Sequence, residues 1–132
     1  MMWRILAVAV TSVLTLALPG DAAEAADGRA LYAENCAACH RINGVGVPGA
    51  FPALVGSKLV TGDSKAVAKL VLAGRGGMPA YQTEMTDAEL ASVLTYIRMS
   101  WGNKARPVQS AEVATLRGGA RREDARASLQ AH

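Results

Sequence analysis

Apolar positions recur along the chain with helical spacing, and no run alternates as a strand would. Between residues 86 and 101 the pattern is clearest. Thr86 and Glu89 form a T-x-x-E capping box, and Leu90, Val93, Leu94 and Ile97 follow as one buried stripe, with Trp101 continuing it. Met85 precedes the cap at the place where a hydrophobic staple onto Leu90 belongs, while Met99 lies off the stripe and should face outward. Gly102 and Asn103 stop this helix. Upstream, Asp63 or Thr61 can cap a second helix whose face is Val67, Leu70 and Val71, ended by Gly74. An earlier helix is predicted from an N-cap at Asp27, with Leu31 and Cys36 at helical spacing.

The Gly/Pro-rich stretches at 43–56 (NGVGVPGAFPALVG) and 74–82 (GRGGMPAYQ) fit neither periodicity and read as loops. A short helix is predicted from Ser110, with Val113 and Leu116 apolar, so that 104–117 forms a helical extension. Residues 118–132 (GGARREDARASLQAH) are polar and charged, and are expected to be a disordered tail. The pattern as a whole is all-α: three main helices joined by long loops in one domain, residues 26–103.

The N-terminus follows a different logic. Arg4 precedes an apolar run of 14 residues at 5–18, which Pro19 and Gly20 break, and Ala23 and Ala25 offer small residues at −3 and −1. This is the pattern of a signal peptide over residues 1–25, cleaved after Ala25, and it implies a periplasmic location. The run is short for a membrane anchor, which needs about 20 apolar residues. No stable membrane insertion is expected after cleavage. The net charge is +3, and setting aside Arg4, Asp21 and Glu24 leaves about +4. No basic run interleaved with aromatics suggests nucleic acid. The remaining chain has a single phenylalanine, Phe51, and little apolar bulk, which favours a non-protein group in the core.

Both cysteines and one of two histidines stand together, in CAACH at 36–40. Three chemistries compete for them. A thiol–disulfide oxidoreductase wants its Cys pair at the start of a helix beside a β-α-β sheet, and no strand pattern is present. A structural zinc site wants four ligands, and the other histidine is His132 in the tail. A haem c uses all three residues: Cys36 and Cys39 can each add to a vinyl group of one porphyrin, and His40 then reaches the iron. Such a protein would carry one covalently attached haem.

The identity of a second iron ligand separates an electron carrier from a ligand-binding haem protein. Met78 stands in a loop where glycines permit close approach and Pro79 stiffens the next stretch of backbone, and it has no packing duty of the kind that Met85 has. With Met78 on the iron, the thioether raises the reduction potential and closes the site to substrate.

With CAACH, a later Met-Pro loop and a final amphipathic helix, residues 27–103 resemble class I cytochrome c. The resemblance implies the cytochrome c fold, a His40/Met78-ligated haem and single-electron transfer without catalysis. Residues 52–56 (PALVG) resemble the family's Pro-x-Leu-x-Gly segment, which implies that the Pro52 carbonyl accepts the other ring N–H of His40. Gly28 and Tyr32 resemble the first-helix glycine and aromatic, and Val93 and Tyr96 resemble their partners on the last helix. A narrower likeness, over Glu89 and residues 90–103 with Val108, Val113, Leu116 and Arg117, is to cytochromes that accompany periplasmic dehydrogenases. It implies redox partner proteins: a dehydrogenase as donor, and an oxidase or other cytochrome as acceptor. Arg75, Tyr81, Lys58 and Trp101 are available for the haem carboxylates.

Overall fold

The computed structural model describes residues 20–130, with side chains at 27–119 and 128–130. Among these described residues six helices follow in order: α1 (Gly20–Asn35), α2 (Ala37–His40), α3 (Lys58–Thr61), α4 (Ser64–Ala73), α5 (Asp87–Met99) and α6 (Ser110–Gln130). Among the described residues the only β pairings are two isolated bridges, Val47 with Phe51 and Arg75 with Met78. None of the helices there is long and apolar enough to cross a membrane.

The capping chemistry is built as the sequence predicts. Thr86 accepts from the Glu89 N–H while the Glu89 carboxylate accepts from the Thr86 N–H, completing the box on α5. Asp63 caps α4, and Gly74 ends it at φ +69°. Leu90, Val93, Leu94 and Ile97 are all buried, Met85 is buried beside them, and Met99 is exposed.

Four expectations need correction. α1 begins at Gly20, so Asp27 lies inside the helix. Residues 21–26 (DAAEAA) are mostly Ala and Glu, which favour helix and let it continue upstream. The same helix ends at Asn35, before the motif: Cys36 leaves helical geometry at φ −120°, and α2 restarts as a separate turn. Trp101 lies beyond the end of α5 with φ +55°, and its ring packs on Tyr32 and Tyr96 at centroid distances of 5.1 and 5.6 Å. Finally, α6 runs on to Gln130 where a disordered tail is expected. Once Val113 and Arg117 dock its first turns, extension through Ala, Arg, Glu and Leu adds a hydrogen bond per residue without a new nucleus. The expected leader at 1–25 lies outside the described residues as far as 19; the remainder begins α1.

α1 packs on α5, and α6 packs on both α4 and α5. Their shared core holds Tyr32, Val67, Ala68, Leu72, Leu90, Leu94, Val108 and Val113. Buried polar groups tie the loops to it. Arg98 donates to the carbonyls of Val60, Gly62 and Arg106, and Asn103 donates to Leu54 and Ile97 while accepting from the Gly56 N–H.

Candidate haem site

The one-turn helix α2 sets the first wall of the site. The His40 N–H donates to the Cys36 carbonyl at 2.9 Å and the Arg41 N–H to the Ala37 carbonyl at 2.9 Å. Arg41 then turns the chain at φ +66°. This closed turn brings Cys36, Cys39 and His40 to one cavity of about 420 Å³, within the size range of small-molecule and cofactor sites.

The loop after His40 is folded back under the imidazole. Val47 and Phe51 exchange two backbone hydrogen bonds at 2.8 Å, and the Gly46 N–H donates to the His40 carbonyl at 3.0 Å. The chain can cross here only because residue 46 has no side chain. A Cβ on Gly46, whose φ is +65°, would stand 2.4 Å from the Phe51 oxygen and 2.6 Å from the Pro52 oxygen. The result is a separation of 2.9 Å between His40 Nδ1 and the Pro52 carbonyl oxygen, a distance at which a ring N–H donates to it.

Met78 reaches the same cavity from the loop after α4. Arg75 and Met78 exchange backbone hydrogen bonds at 3.2 and 3.0 Å, which folds GRGGM into a tight turn. Gly74 makes the turn possible, since a Cβ there would lie 2.7 Å from the Met78 carbonyl oxygen. Tyr81 anchors the chain just past this turn: its N–H donates to Val71, and its hydroxyl donates to the Asn35 carbonyl at 2.9 Å, one residue before Cys36. The two motif-bearing segments are thereby joined through one side chain.

The rest of the cavity wall is mostly apolar, with Asn35, Ser57 and Tyr81 as its uncharged polar members. The α4 face Val67, Leu70 and Val71 contributes, as do Val93, Leu94 and Ile97 of α5. Among the described residues Arg75 is the one formal charge on the wall. Of the four side chains available to haem carboxylates, Arg75 and Tyr81 line the cavity, whereas Lys58 and Trp101 do not. Met85 lines it as well as Met78; Met99 does not. Gly28 meets the Ser92 carbonyl and the Tyr96 Cβ, so Tyr96 packs against it as expected and the Ser92 backbone is a further partner on α5; Tyr32 stacks on Tyr96 at 5.5 Å and shares the core with Val93.

These groups fit a covalently held haem. Two thiols, an imidazole with a partner for its second nitrogen and a thioether share one apolar hollow. The same burial argues against thiol–disulfide chemistry. Desolvation, with the neighbouring Cys39, pushes the Cys36 thiol up to about 11, away from the thiolate that an attacking cysteine requires. Sequence reasoning passed over Gly46 and Asn103. The signal at Gly46 was the glycine in a Pro-rich loop; Asn103 read only as a helix stop.

Comparison with known proteins gives the same answer. The family model described as cytochrome C oxidase, cbb3-type, subunit III matches residues 23–97. The cytochrome c subunit of the quinone alcohol dehydrogenase of Gluconobacter oxydans is 32% identical over 116 residues, 78% of this chain and 24% of that protein. Cytochrome c-552 of Thermus thermophilus is 32% identical over 127 residues, 81% of this chain and 85% of that protein. Cytochrome c6 of a Picosynechococcus species is 33% identical over 115 residues, 73% of this chain and 92% of that protein. The chain thus spans about a quarter of the alcohol dehydrogenase subunit but nearly all of the two small cytochromes. With motif, cavity and kin in agreement, the chain belongs to the c-type cytochrome family represented by that cbb3-type domain, and its prosthetic group is a covalently bound haem c.

Proposed function

We propose that this protein is a periplasmic single-electron carrier, with His40 and Met78 as the two protein ligands of its haem iron and Cys36 and Cys39 as the attachment points. The observation that carries the reading is that these four residues line one apolar cavity. When bound, haem c supplies one-electron ferric/ferrous chemistry. His40 supplies an imidazole whose Nδ1 proton is held at the Pro52 carbonyl, which fixes the tautomer and leaves Nε2 free to ligate. Met78 supplies a soft thioether that favours the reduced state. The apolar α4 and α5 side chains keep water out, and a low-dielectric surround further disfavours the more highly charged oxidised state. With His40 and Met78 both holding the iron, no position would be left for substrate, so the protein would pass electrons and make no substrate bond.

Electrons would enter and leave beside the CAACH turn, where Ala38, Ile42 and Val45 are exposed. Arg41 and Asn43 are exposed among them, so this open face mixes apolar residues with one positive charge, which suits brief encounters with redox proteins. Relatives named as an alcohol dehydrogenase cytochrome c subunit and as a cbb3-type oxidase subunit favour a dehydrogenase donor and an oxidase or cytochrome acceptor. The N-terminal pattern favours export through a leader cleaved after Ala25.

Ligand replacement tests this reading. Met78→Ala should abolish the thioether-to-iron absorption band, lower the potential and let carbon monoxide bind the reduced protein, while Met85→Leu should keep all three properties near wild type. If Met85→Leu opens the site and Met78→Ala does not, the ligand is misassigned.

A further inference from the structure

α6 carries a buried arginine whose contacts lie on the segment that leads away from Met78. Arg117 Nη1 donates to the Gln82 carbonyl, Nη2 to the Met85 carbonyl at 2.8 Å, and Nε to the Asp87 carboxylate at 2.7 Å. Arg117 is 7% exposed. It lies twenty residues beyond the region that the family model matches. We propose that Arg117 is a positioning residue for Met78, a clamp by which α6 fixes the loop that brings the thioether to the cavity; this rests on the reading of Met78 as a ligand.

The placement of the tethers supports a role in the loop as well as in helix docking. On its N-terminal side Met78 is held by the backbone pair with Arg75. Beyond it, the Tyr81 N–H bond to Val71 is followed by the Thr86 carbonyl, which accepts from Leu90. Between those two points Arg117 reaches in from a helix far along the chain and takes two main-chain carbonyls. A planar guanidinium can meet both carbonyls and the carboxylate at once; a lysine ammonium has no such fixed fork. α6 has other means of docking. Val113 is fully buried, and Glu112 accepts from Ser64 and pairs with Arg106. Removing the guanidinium would leave the buried Met85 carbonyl and the half-buried Gln82 carbonyl without this donor, while the Asp87 carboxylate, 35% exposed, can turn to water; the loop would relieve the loss at the carbonyls by moving.

The test uses the matured haem protein and four variants: Arg117→Gln, Arg117→Lys, Val113→Ala and Met78→Ala. Carbon monoxide binding to the reduced form reports how often the thioether leaves. The thioether absorption band, hydrogen exchange of residues 76–86 and the unfolding midpoint are measured beside it. Arg117→Gln should raise the carbon monoxide binding rate roughly tenfold or more, the scale of losing charged hydrogen bonds, and should speed exchange in the loop. Arg117→Lys should fall between Arg117→Gln and wild type. Val113→Ala opens a cavity under α6 and lowers stability, yet should leave carbon monoxide binding and the band unchanged. Arg117 acts only as a helix anchor if Val113→Ala opens the site as much per unit of stability lost, or if Arg117→Gln leaves loop exchange and binding at wild-type values. If Arg117→Gln does not fold, the Lys variant decides by the same criteria. A retained band in Met78→Ala would instead overturn the ligand assignment, and loop exchange in the Arg117 variants would still decide whether the clamp exists.

Discussion

Gly28 of α1 crosses α5 so closely that a Cβ on it would stand 2.2 Å from the Ser92 carbonyl oxygen. The contact is backbone against backbone, so no side-chain rotation can relieve it. Gly28→Ala should therefore push the two helices apart and cost about 1–3 kcal/mol, the range for overpacking a filled core. Urea unfolding of the haem protein would measure it. A loss below about 0.5 kcal/mol, ordinary for a surface change, would mean that the helices do not cross in this way.

Gly46 makes the corresponding prediction inside the site. Its φ of +65° and the neighbouring Phe51 and Pro52 oxygens leave no room for a side chain. Gly46→Ala should cost about 1–3 kcal/mol and should displace the Pro52 carbonyl from His40. The local effect is readable by NMR as faster exchange of the His40 Nδ1 proton. Unchanged exchange would separate Gly46 from the ligand's orientation.

The Glu112 network predicts an acid-sensitive contribution. Hydrogen bonds from Arg106, then from the Gln109 N–H, hold the Glu112 carboxyl down at about 2, against an ordinary 4.5. A carboxyl depressed in the folded state stabilises fully above its unfolded value and loses that contribution as pH falls through the folded one. Stability should thus decline between about 4.5 and about 2, and Glu112→Gln should flatten that part of the profile. The loss at neutral pH should be modest, because Arg106 is largely exposed and water screens its attraction. Denaturant midpoints across this pH range measure both effects; an identical slope in the Gln variant would contradict the account.

Features governed by near neighbours were legible in the sequence. The Thr86–Glu89 box, the Asp63 cap, the Gly74 stop, the buried α5 stripe, the staple position of Met85 and the outward Met99 each depend on residues within about one or two turns. α3 escaped because four residues carry no period; its start is a lone Ser57 cap. The break at Cys36 is invisible to a pattern that places Leu31 and Cys36 on one face. Asn103 bonds residues 47 and 49 positions away, and Arg117 bonds others 30 to 35 positions away. Pairings at that separation leave no mark on local periodicity, so Asn103 read only as a helix stop and Arg117 only as part of a family likeness. The CAACH motif was legible for the opposite reason: covalent attachment needs a fixed spacing, and fixed spacing is what a sequence displays.

A spectroscopic redox titration of the matured protein addresses the main claim most directly. One haem gripped by His40 and Met78 predicts a single reversible one-electron step, a thioether band in the oxidised form that Met78→Ala removes, and no carbon monoxide binding by the untreated reduced protein. A two-electron thiol couple, or a wild-type protein open to carbon monoxide, would contradict it.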